Sequence, residues 1–235
     1  MAQEELSDNK LIMAKFSRLK VYQTIEETGI IPLFYHPDIE TVQNVVAACY
    51  SGGIRVFELT NRNAFAHKVF GKLIKWADVN CPEMIIGIGS VVDAPTAALY
   101  IQMGANFIVG PLLNPEISKI CNRRLIPYTP GCATTTEIGY AQELGTEIVK
   151  VFPGGSVGGP SFIKSIKGPM PWSKLMATGG VEPTKESITE WFKAGVTCVG
   201  IGSNLFPDAV INEGNWIKIT EKCKECISII REFKA

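Results

Sequence analysis

Residues 144–152 read LGTEIVKVF, in which a glycine is followed by a short run of mostly β-branched residues. The same order recurs in MGANFIV at residues 103–109 and in AGVTCVG at residues 194–200. A helical pattern precedes each glycine, and glycine readily adopts the left-handed conformation that ends helices. The three segments therefore predict a repeated unit of helix, glycine C-cap and strand.

Short β-branched runs alternate with longer amphipathic stretches from residue 30 onward. The predicted strands are Ile30–Phe34, Arg55–Leu59, Met84–Ile88, Phe107–Val109, Leu125–Tyr128, Ile148–Phe152, Leu175–Ala177 and Thr197–Ile201. The predicted helices are Ile39–Tyr50, Ala64–Trp76, Ala94–Met103, Pro115–Ile120, Thr135–Leu144 and Lys185–Ala194, with flanking helices at Ser17–Thr28 and Asn215–Glu232. This alternation indicates an α/β fold with a parallel sheet. Eight strands in 235 residues predict a TIM (β/α)₈ barrel, with residues 1–235 forming a single domain.

A doubly wound sheet shows the same alternation of strands and helices. Two observations favour the barrel. No GxGxxG follows the first predicted strand, where a dinucleotide-binding sheet would carry it. Polar residues and glycines instead follow many different strands, as expected when a ring of βα loops surrounds one site.

Composition and charge exclude several classes of partner. The chain has 23 lysines and arginines against 23 aspartates and glutamates, so no basic field favours nucleic acid or an anionic membrane. The first 20 residues lack an apolar segment long enough for a signal peptide, and no apolar run has transmembrane length. The pattern predicts a cytoplasmic protein that acts on a small molecule.

The cysteines and histidines argue against a metal or redox site. The seven cysteines are odd in number and irregularly spaced, which is typical of reduced thiols. Cys223 and Cys226 form a CxxC, but no second ligand pair is near them in sequence. His36 and His67 are too few for a multi-histidine site. We expect neither a metal nor another cofactor.

Two charged residues lie inside predicted strands. In RVFELT, side-chain alternation places Glu58 with Val56 and Thr60 on one face, opposite Phe57 and Leu59. The two apolar residues suit the helix layer, so Glu58 is predicted to point into the barrel. A buried carboxylate is costly without a partner, and the alternative is a structural ion pair.

Lys150 lies in the middle of EIVKVFPGG and shares a face with Ile148 and Phe152. Both faces of a barrel strand are covered, so the lysine is enclosed whichever way it points. Burial disfavours the ammonium form and yields the free amine that attacks a ketone to form an imine. A lone interior lysine is more often structural, but a second interior charge on another strand favours a catalytic role.

Further candidates follow the predicted strands at the same end. Arg62 follows the glutamate strand and is suited to bind a carboxylate, although loop arginines are usually only solvated. Ser90 ends the next strand with a hydroxyl. Thr178-Gly179-Gly180 and Gly202-Ser203 follow strands seven and eight, the loops that often bind phosphate in such barrels.

These motifs together resemble the family of 2-keto-3-deoxy-6-phosphogluconate (KDPG) and 4-hydroxy-2-oxoglutarate (KHG) aldolases, from about Gly29 to Phe206. The resemblance is carried by ExTxR at 58–62, IGxGS ending at Ser90, PGCAT at 130–134, KxFP at 150–153, TGG at 178–180 and GS at 202–203. It implies a class I lyase that releases pyruvate, as in the Entner–Doudoroff pathway of carbohydrate metabolism. It also implies a homotrimer.

The resemblance assigns roles to the matching positions. Lys150 would form the Schiff base and Glu58 would transfer protons. The carboxylate of the keto acid would be held by Arg62, Ser90 and Thr60, and a substrate phosphate by Gly179, Gly180 and Ser203. Pro111, Thr178 and Phe152 would complete the pocket.

Several features depart from the family pattern and leave alternatives open. Ser90 stands where threonine is usual, and Gly154-Gly155 replaces the common Ala-Glu, which predicts a more mobile loop. The first strand ends in Phe34-Tyr35-His36, without a basic residue to touch a phosphate. KDPG, its galactonate epimer and unphosphorylated KHG all remain candidate substrates. A sugar-phosphate isomerase or epimerase on the same barrel, or a non-catalytic binding protein, is an alternative that leaves Lys150 and Glu58 unexplained.

Overall fold

The computed structural model describes residues 14–234, which form a ring of parallel strands surrounded by helices. The strands are β1 (Ile30–Phe34), β2 (Val56–Thr60), β3 (Ile85–Gly89), β4 (Ile108–Val109), β5 (Tyr128–Thr129), β6 (Gly131–Cys132), β7 (Ile148–Val151), β8 (Lys174–Thr178) and β9 (Cys198–Ile201). The helices are α1 (Arg18–Thr28), α2 (Ile39–Ser51), α3 (Ala66–Asn80), α4 (Ala94–Gln102), α5 (Pro115–Arg123), α6 (Thr135–Glu143), α7 (Gly159–Lys167), α8 (Lys185–Ala194), α9 (Asp208–Asn212) and α10 (Trp216–Lys234).

The ring closes between β5 and β7. Strands pair in parallel in the order β5-β4-β3-β2-β1-β9-β8-β7-β6. Pro130 alone separates β5 from β6, and the Lys150 N–H donates to its carbonyl at 3.0 Å. The two short strands therefore occupy one position of the barrel, and the predicted (β/α)₈ fold is confirmed.

The predicted fifth strand, Leu125–Tyr128, was wrong. Leu125 has φ 54°, in the left-handed region, and the strand begins only at Tyr128. Pro127 and Pro130 lack the N–H that a strand donates to its neighbour, which accounts for the late start and the break. The apolar pattern marks a connection that is exposed at Leu125 and buried from Ile126 onward without being a strand.

The helices that flank the barrel at its two chain ends agree with the predicted ranges. α1 begins one residue after the predicted Ser17, and α10 covers Trp216–Lys234. Gly104, Gly145 and Gly195 have φ of 98°, 84° and 106°, which confirms the predicted left-handed helix ends. α7 and α9 were missed: Gly158, Gly159 and Pro160 at the start of α7 resemble a loop in sequence.

Two separate hydrophobic clusters confirm the predicted strand faces. The outer cluster lies between strands and helices and contains Phe57, Leu59, Val149 and Val151. The inner cluster fills the barrel, and α1 contributes to it from the N-terminal end of the strands. Its buried members are Val21, Tyr22, Ile25, Ile31, Val56, Ile85, Phe107, Val109, Ile148, Met176 and Cys198.

The cysteines of the described region are all buried free thiols. The Cys223 sulfur lies 3.9 Å from that of Cys49 on α2, whereas Cys226 occupies another part of the same core. The CxxC thus packs α10 against the barrel. Among residues 14–234, no helix is both long and apolar enough to cross a membrane. The expectation about a signal peptide rests mainly on residues 1–13, which lie outside the described part.

Candidate active site

Glu58 lies at the centre of β2 and points into the barrel, as the strand pattern predicted. It is only 1% exposed. A Cβ atom added to Gly89 on β3 would lie 1.6 Å from its Oε1 atom, so a glycine at this position leaves the space that the carboxyl group occupies. The neighbouring strand is therefore shaped around Glu58.

Burial is the main influence on the pKa of the Glu58 carboxyl group. Desolvation raises the pKa of its carboxyl group, whereas the nearby charges of Lys150 and Arg62 act in the opposite direction. Its Oε2 atom is buried and has no hydrogen-bond partner among the described residues. Because buried polar atoms are normally paired, this oxygen is available to a bound molecule.

Lys150 points into the barrel from β7 and is 5% exposed. Burial lowers the pKa of its ammonium group, the charge of Glu58 raises it, and the charge of Arg62 lowers it further. The Nζ atom lies 4.8 Å from the centroid of the Phe152 ring. Within residues 14–234, no ion pair shorter than 4.0 Å involves Lys150 or Glu58. Burial thus shifts Lys150 toward the uncharged amine.

A cavity of about 520 Å³ opens at the carboxyl ends of the strands. It is lined by Leu33, Phe34, Tyr35, Thr60, Arg62, Asn63, Phe152, Thr178, Gly179, Gly180, Val181, Gly200, Gly202, Ser203, Asn204, Phe206 and Asp208. Thr60 and Phe152 lie two residues beyond Glu58 and Lys150 on the same strand faces. The two charged residues therefore lie one layer below the cavity. We call these two residues, together with the buried Thr178 that lines the cavity above them, the polar layer.

Besides Glu58 and Lys150, two predicted site residues do not line this cavity. Ser90 directly follows β3, Pro111 lies two residues beyond the end of β4, and both are half-buried. Ser90 has φ 60°, a left-handed conformation that is uncommon for a residue with a side chain. A Cβ atom on Gly131 would lie 2.3 Å from the Pro111 carbonyl oxygen, so Pro111 packs against the strand that pairs with β7.

Hydrogen bonds to β3 and α4 hold the loop that carries Arg62. The Asn61 N–H donates to the Gly89 carbonyl at 2.8 Å, and the Arg62 N–H donates to the Thr60 carbonyl at 3.0 Å. The buried Tyr100 hydroxyl on α4 donates to the Asn61 side chain at 2.8 Å. These contacts hold Arg62 at the mouth of the cavity.

The glycine-rich loops after β8 and β9 also lie at the cavity, as predicted. Thr178 is 7% exposed, and its Oγ1 atom has no hydrogen-bond partner among the described residues. A Cβ atom on Gly200 would lie 2.5 Å from this oxygen, so Gly200 leaves room for it. The Asn204 side chain donates to the Val181 carbonyl and to the Glu182 carboxylate, at 3.2 and 2.9 Å, which links the two loops.

Several lining residues were missed by the sequence analysis. Tyr35, Asn63 and Asn204 are polar residues on loops that follow β1, β2 and β9, and Asp208 is the first residue of α9. Their position after barrel strands was the available signal, but it does not say which loop side chains turn toward the centre. Asp208 follows a turn in which the Phe206 N–H donates to the Ser203 carbonyl at 3.1 Å.

A parallel barrel with a buried lysine and a buried glutamate beneath an open cavity defines a class of TIM-barrel enzymes. The family model of KDPG and KHG aldolases matches residues 21–222, and the chain belongs to this family of lyases. It is an aldolase by family, which disfavours the isomerase and binding-protein alternatives.

Named relatives agree with this assignment. A 2-dehydro-3-deoxy-phosphogluconate aldolase of Pseudoalteromonas atlantica is 30% identical over 92% of this chain and 98% of its own length. The KHG/KDPG aldolase of Escherichia coli K12 is 29% identical over 87% of this chain and 94% of its own. A crystal structure of KDPG aldolase from Legionella pneumophila, with pyruvate captured as a covalent carbinolamine, is 30% identical, with a TM-score of 0.78. The match covers 86% of this chain and 95% of that one.

Proposed function

We propose that Lys150 forms an imine with the keto acid and that the enzyme cleaves KDPG to pyruvate and glyceraldehyde 3-phosphate, KHG to pyruvate and glyoxylate, or both. The observation that carries this proposal is the pairing of two buried groups, Lys150 and Glu58, beneath one cavity. Burial lowers the pKa of the amine and raises that of the carboxyl group, so each moves toward the state that imine chemistry needs.

The reaction follows from these two groups. The neutral Lys150 amine adds to the C2 carbonyl of the substrate, and the carbinolamine loses water when a proton is delivered to its hydroxyl. Glu58 is the proton carrier because its unpaired Oε2 atom lies in the barrel interior. The Glu58 carboxylate then removes the proton of the C4 hydroxyl, and the electron pair of the C3–C4 bond moves to the protonated imine, so that the aldehyde leaves and an enamine remains. Protonation of the enamine at C3 and hydrolysis of the resulting imine release pyruvate.

The remaining site residues are proposed to bind the two ends of the substrate. Arg62, Thr60 and Ser90 hold the carboxylate, and the loops of Gly179, Gly180 and Ser203 hold the phosphate. Arg62 and Thr60 line the cavity, in agreement with this role, whereas Ser90 acts from just outside it. Phe152, Thr178 and Pro111 shape the walls around the reacting carbons.

We further propose that residues 1–235 form one domain that assembles as a homotrimer in the cytoplasm. α10 packs against both α2 and α8, which ties the C-terminal end to the barrel. Val92 and Leu112 are exposed apolar side chains on loops joined by the Asn114 side chain, which donates to the Val92 carbonyl at 3.0 Å. An exposed apolar surface of this kind suits self-association. Light scattering after size-exclusion chromatography measures the subunit number.

Borohydride trapping with pyruvate tests the central proposal. We expect a pyruvate-sized adduct on the peptide that contains Lys150, found by intact and peptide mass analysis. A panel of KDPG, its galactonate epimer and KHG then identifies the aldehyde half from the ratios of kcat/KM. A folded protein that gives no adduct would rule out the imine mechanism.

A further inference from the structure

The loop after the lysine strand packs directly on the glycine loop after β8. The Gly154 N–H donates to the Thr178 carbonyl at 2.8 Å, and the Gly155 N–H donates to the Gly179 carbonyl at 2.7 Å. The buried Trp191 indole on α8 donates to the next carbonyl, that of Gly180, at 3.4 Å. Three consecutive carbonyl groups of the TGG segment are therefore held from the same side of the loop.

Only glycine fits at this contact without displacing the backbone. A Cβ atom on Gly154 would lie 2.9 Å from the Gly179 oxygen, 3.1 Å from the Thr178 oxygen and 3.3 Å from the Trp191 ring. A Cβ atom on Gly180 would lie 2.8 Å from the Gly155 Cα atom. The atoms that would have to move are largely main-chain atoms, which cannot swing away as the end of a flexible side chain can.

The direction of these carbonyl groups fixes the direction of the next N–H groups. In a trans peptide unit the C=O and the following N–H point in opposite directions. The Gly180 N–H therefore points away from the Gly155 loop, and the Val181 N–H points away from Trp191. Both residues line the cavity, and within the described residues neither N–H group has an acceptor.

We infer that Gly154 and Gly155, with Trp191, are positioning residues that aim the Gly180 and Val181 N–H groups at an anionic group of the substrate. This inference rests on the proposed function, because it takes the phosphate to lie at the TGG loop. The glycine pair supplies an anchor made of backbone, which compensates for the missing basic residue at the end of β1. Oriented backbone amides of this kind form anion-binding sites.

The substitution Gly154→Ala tests the inference. The added methyl group displaces the Thr178 and Gly179 carbonyls and misdirects the N–H groups, so KM for KDPG should rise about tenfold or more. The kcat for KDPG, the KM for unphosphorylated KHG and the yield of trapped pyruvate should stay unchanged. The inhibition constant of inorganic phosphate, used as a competitive inhibitor, should rise by a similar factor.

Gly139→Ala is the matched control, because a Cβ atom at this position in α6 meets nothing within 4 Å. Trp191→Phe keeps the ring but removes the donor to Gly180, and it should raise KM for KDPG about threefold. If Gly154→Ala does not fold, the KM of Trp191→Phe for KDPG tests the inference in its place. Equal rises in KM for both substrates, or none in either, would overturn the inference. If the proposed function is wrong, borohydride trapping with pyruvate will give no adduct on Lys150 in the unaltered protein.

Discussion

The interior of the barrel has two regions that differ in chemistry although they share the same strands. The inner cluster, closed by α1, consists mainly of apolar side chains such as Val56 and Ile148. One layer further along the same strand faces lie Glu58 and Lys150, buried to a similar extent. Two residues of chain thus separate a packed hydrophobic core from two ionisable groups that are costly to bury in their charged forms.

The difference shows which region of the interior stabilises the fold and which region lowers its stability. Each apolar side chain of the inner cluster lowers the free energy of folding by burial. In the polar layer, burial opposes the charged forms of both Lys150 and Glu58. The Glu58 Oε2 and Thr178 Oγ1 atoms also have no hydrogen-bond partner within residues 14–234. Substitutions in the first region should therefore change stability, and those in the second should change catalysis.

The largest expected effect comes from Lys150→Ala. Removal of the amine that forms the covalent intermediate should lower kcat by about 10⁴-fold or more, with the fold retained. The control is Lys174→Ala on the adjacent strand, because Lys174 instead pairs with Glu26 and Glu147 at 2.8 and 2.7 Å near the protein surface. Lys174→Ala should keep full activity and cost about 1 kcal/mol or less. Substantial turnover by Lys150→Ala would show that the mechanism is wrong.

Glu58→Gln should have the next largest effect. The amide keeps the shape of the side chain but cannot carry a proton, so kcat should fall by about 10²- to 10⁴-fold. Lys150 remains, and borohydride should still trap some pyruvate on it. Steady-state rates and trapping yields measured on the same preparation separate the two roles. Full loss of trapping would show that imine formation itself depends on Glu58.

For the inner cluster we expect substitutions to change stability and to leave catalysis unchanged. Ile25→Ala on α1 removes a fully buried side chain at the far end of the barrel and should lower the free energy of unfolding by about 2–5 kcal/mol. Leu19 on the same helix is 73% exposed, so Leu19→Ala should change the free energy of unfolding by about 0.5 kcal/mol or less. Urea unfolding measures both, and kcat of the folded Ile25→Ala protein should be unchanged. A drop in kcat would show that the two regions are coupled.

The sequence predicted this two-region interior because strand periodicity is strict. The apolar neighbours of Glu58 predicted that its side chain points into the barrel, whereas for Lys150 they predicted only which residues share its face. The structure confirmed both groupings. The fifth strand failed where Pro127 and Pro130 interrupt the ladder of hydrogen bonds, a constraint that an apolar pattern does not display. Local patterns thus predicted side-chain directions well, and they predicted strand ends to within one residue everywhere except at the fifth strand.

The cavity walls were less predictable than the polar layer. Asp208 and Asn204 reach the cavity through turns, and the direction of a turn side chain depends on contacts that are distant in sequence. Asn204, for example, is held by the Val181 carbonyl and by Glu182. The expected mobility of the Gly154-Gly155 loop likewise took no account of its hydrogen bonds to β8 and the following loop. Those partners lie more than 20 residues away along the chain.

The pH dependence of imine formation tests how the charges of Glu58 and Arg62 act on the pKa of Lys150. Imine formation needs the free amine, so the rate of trapping with cyanoborohydride at saturating pyruvate should rise at a pH below the ordinary lysine pKa of 10.5. The charge of Glu58 raises the pKa of Lys150 and that of Arg62 lowers it. Glu58→Gln should therefore move the profile to lower pH and Arg62→Gln to higher pH. Shifts in the same direction would contradict the charge assignment.

The smallest expected effect is at the edge of the cavity, where Ser203 is exposed and follows β9. Ser203→Ala removes one hydroxyl donor, so KM for KDPG should rise by about 2- to 10-fold while kcat stays the same. This binding is common to the ground state and the transition state, which is why kcat should not change. KM for KHG should not change either, because that substrate has no phosphate. If both KM values rise equally, Ser203 contacts a part that the two substrates share, and the phosphate is bound elsewhere.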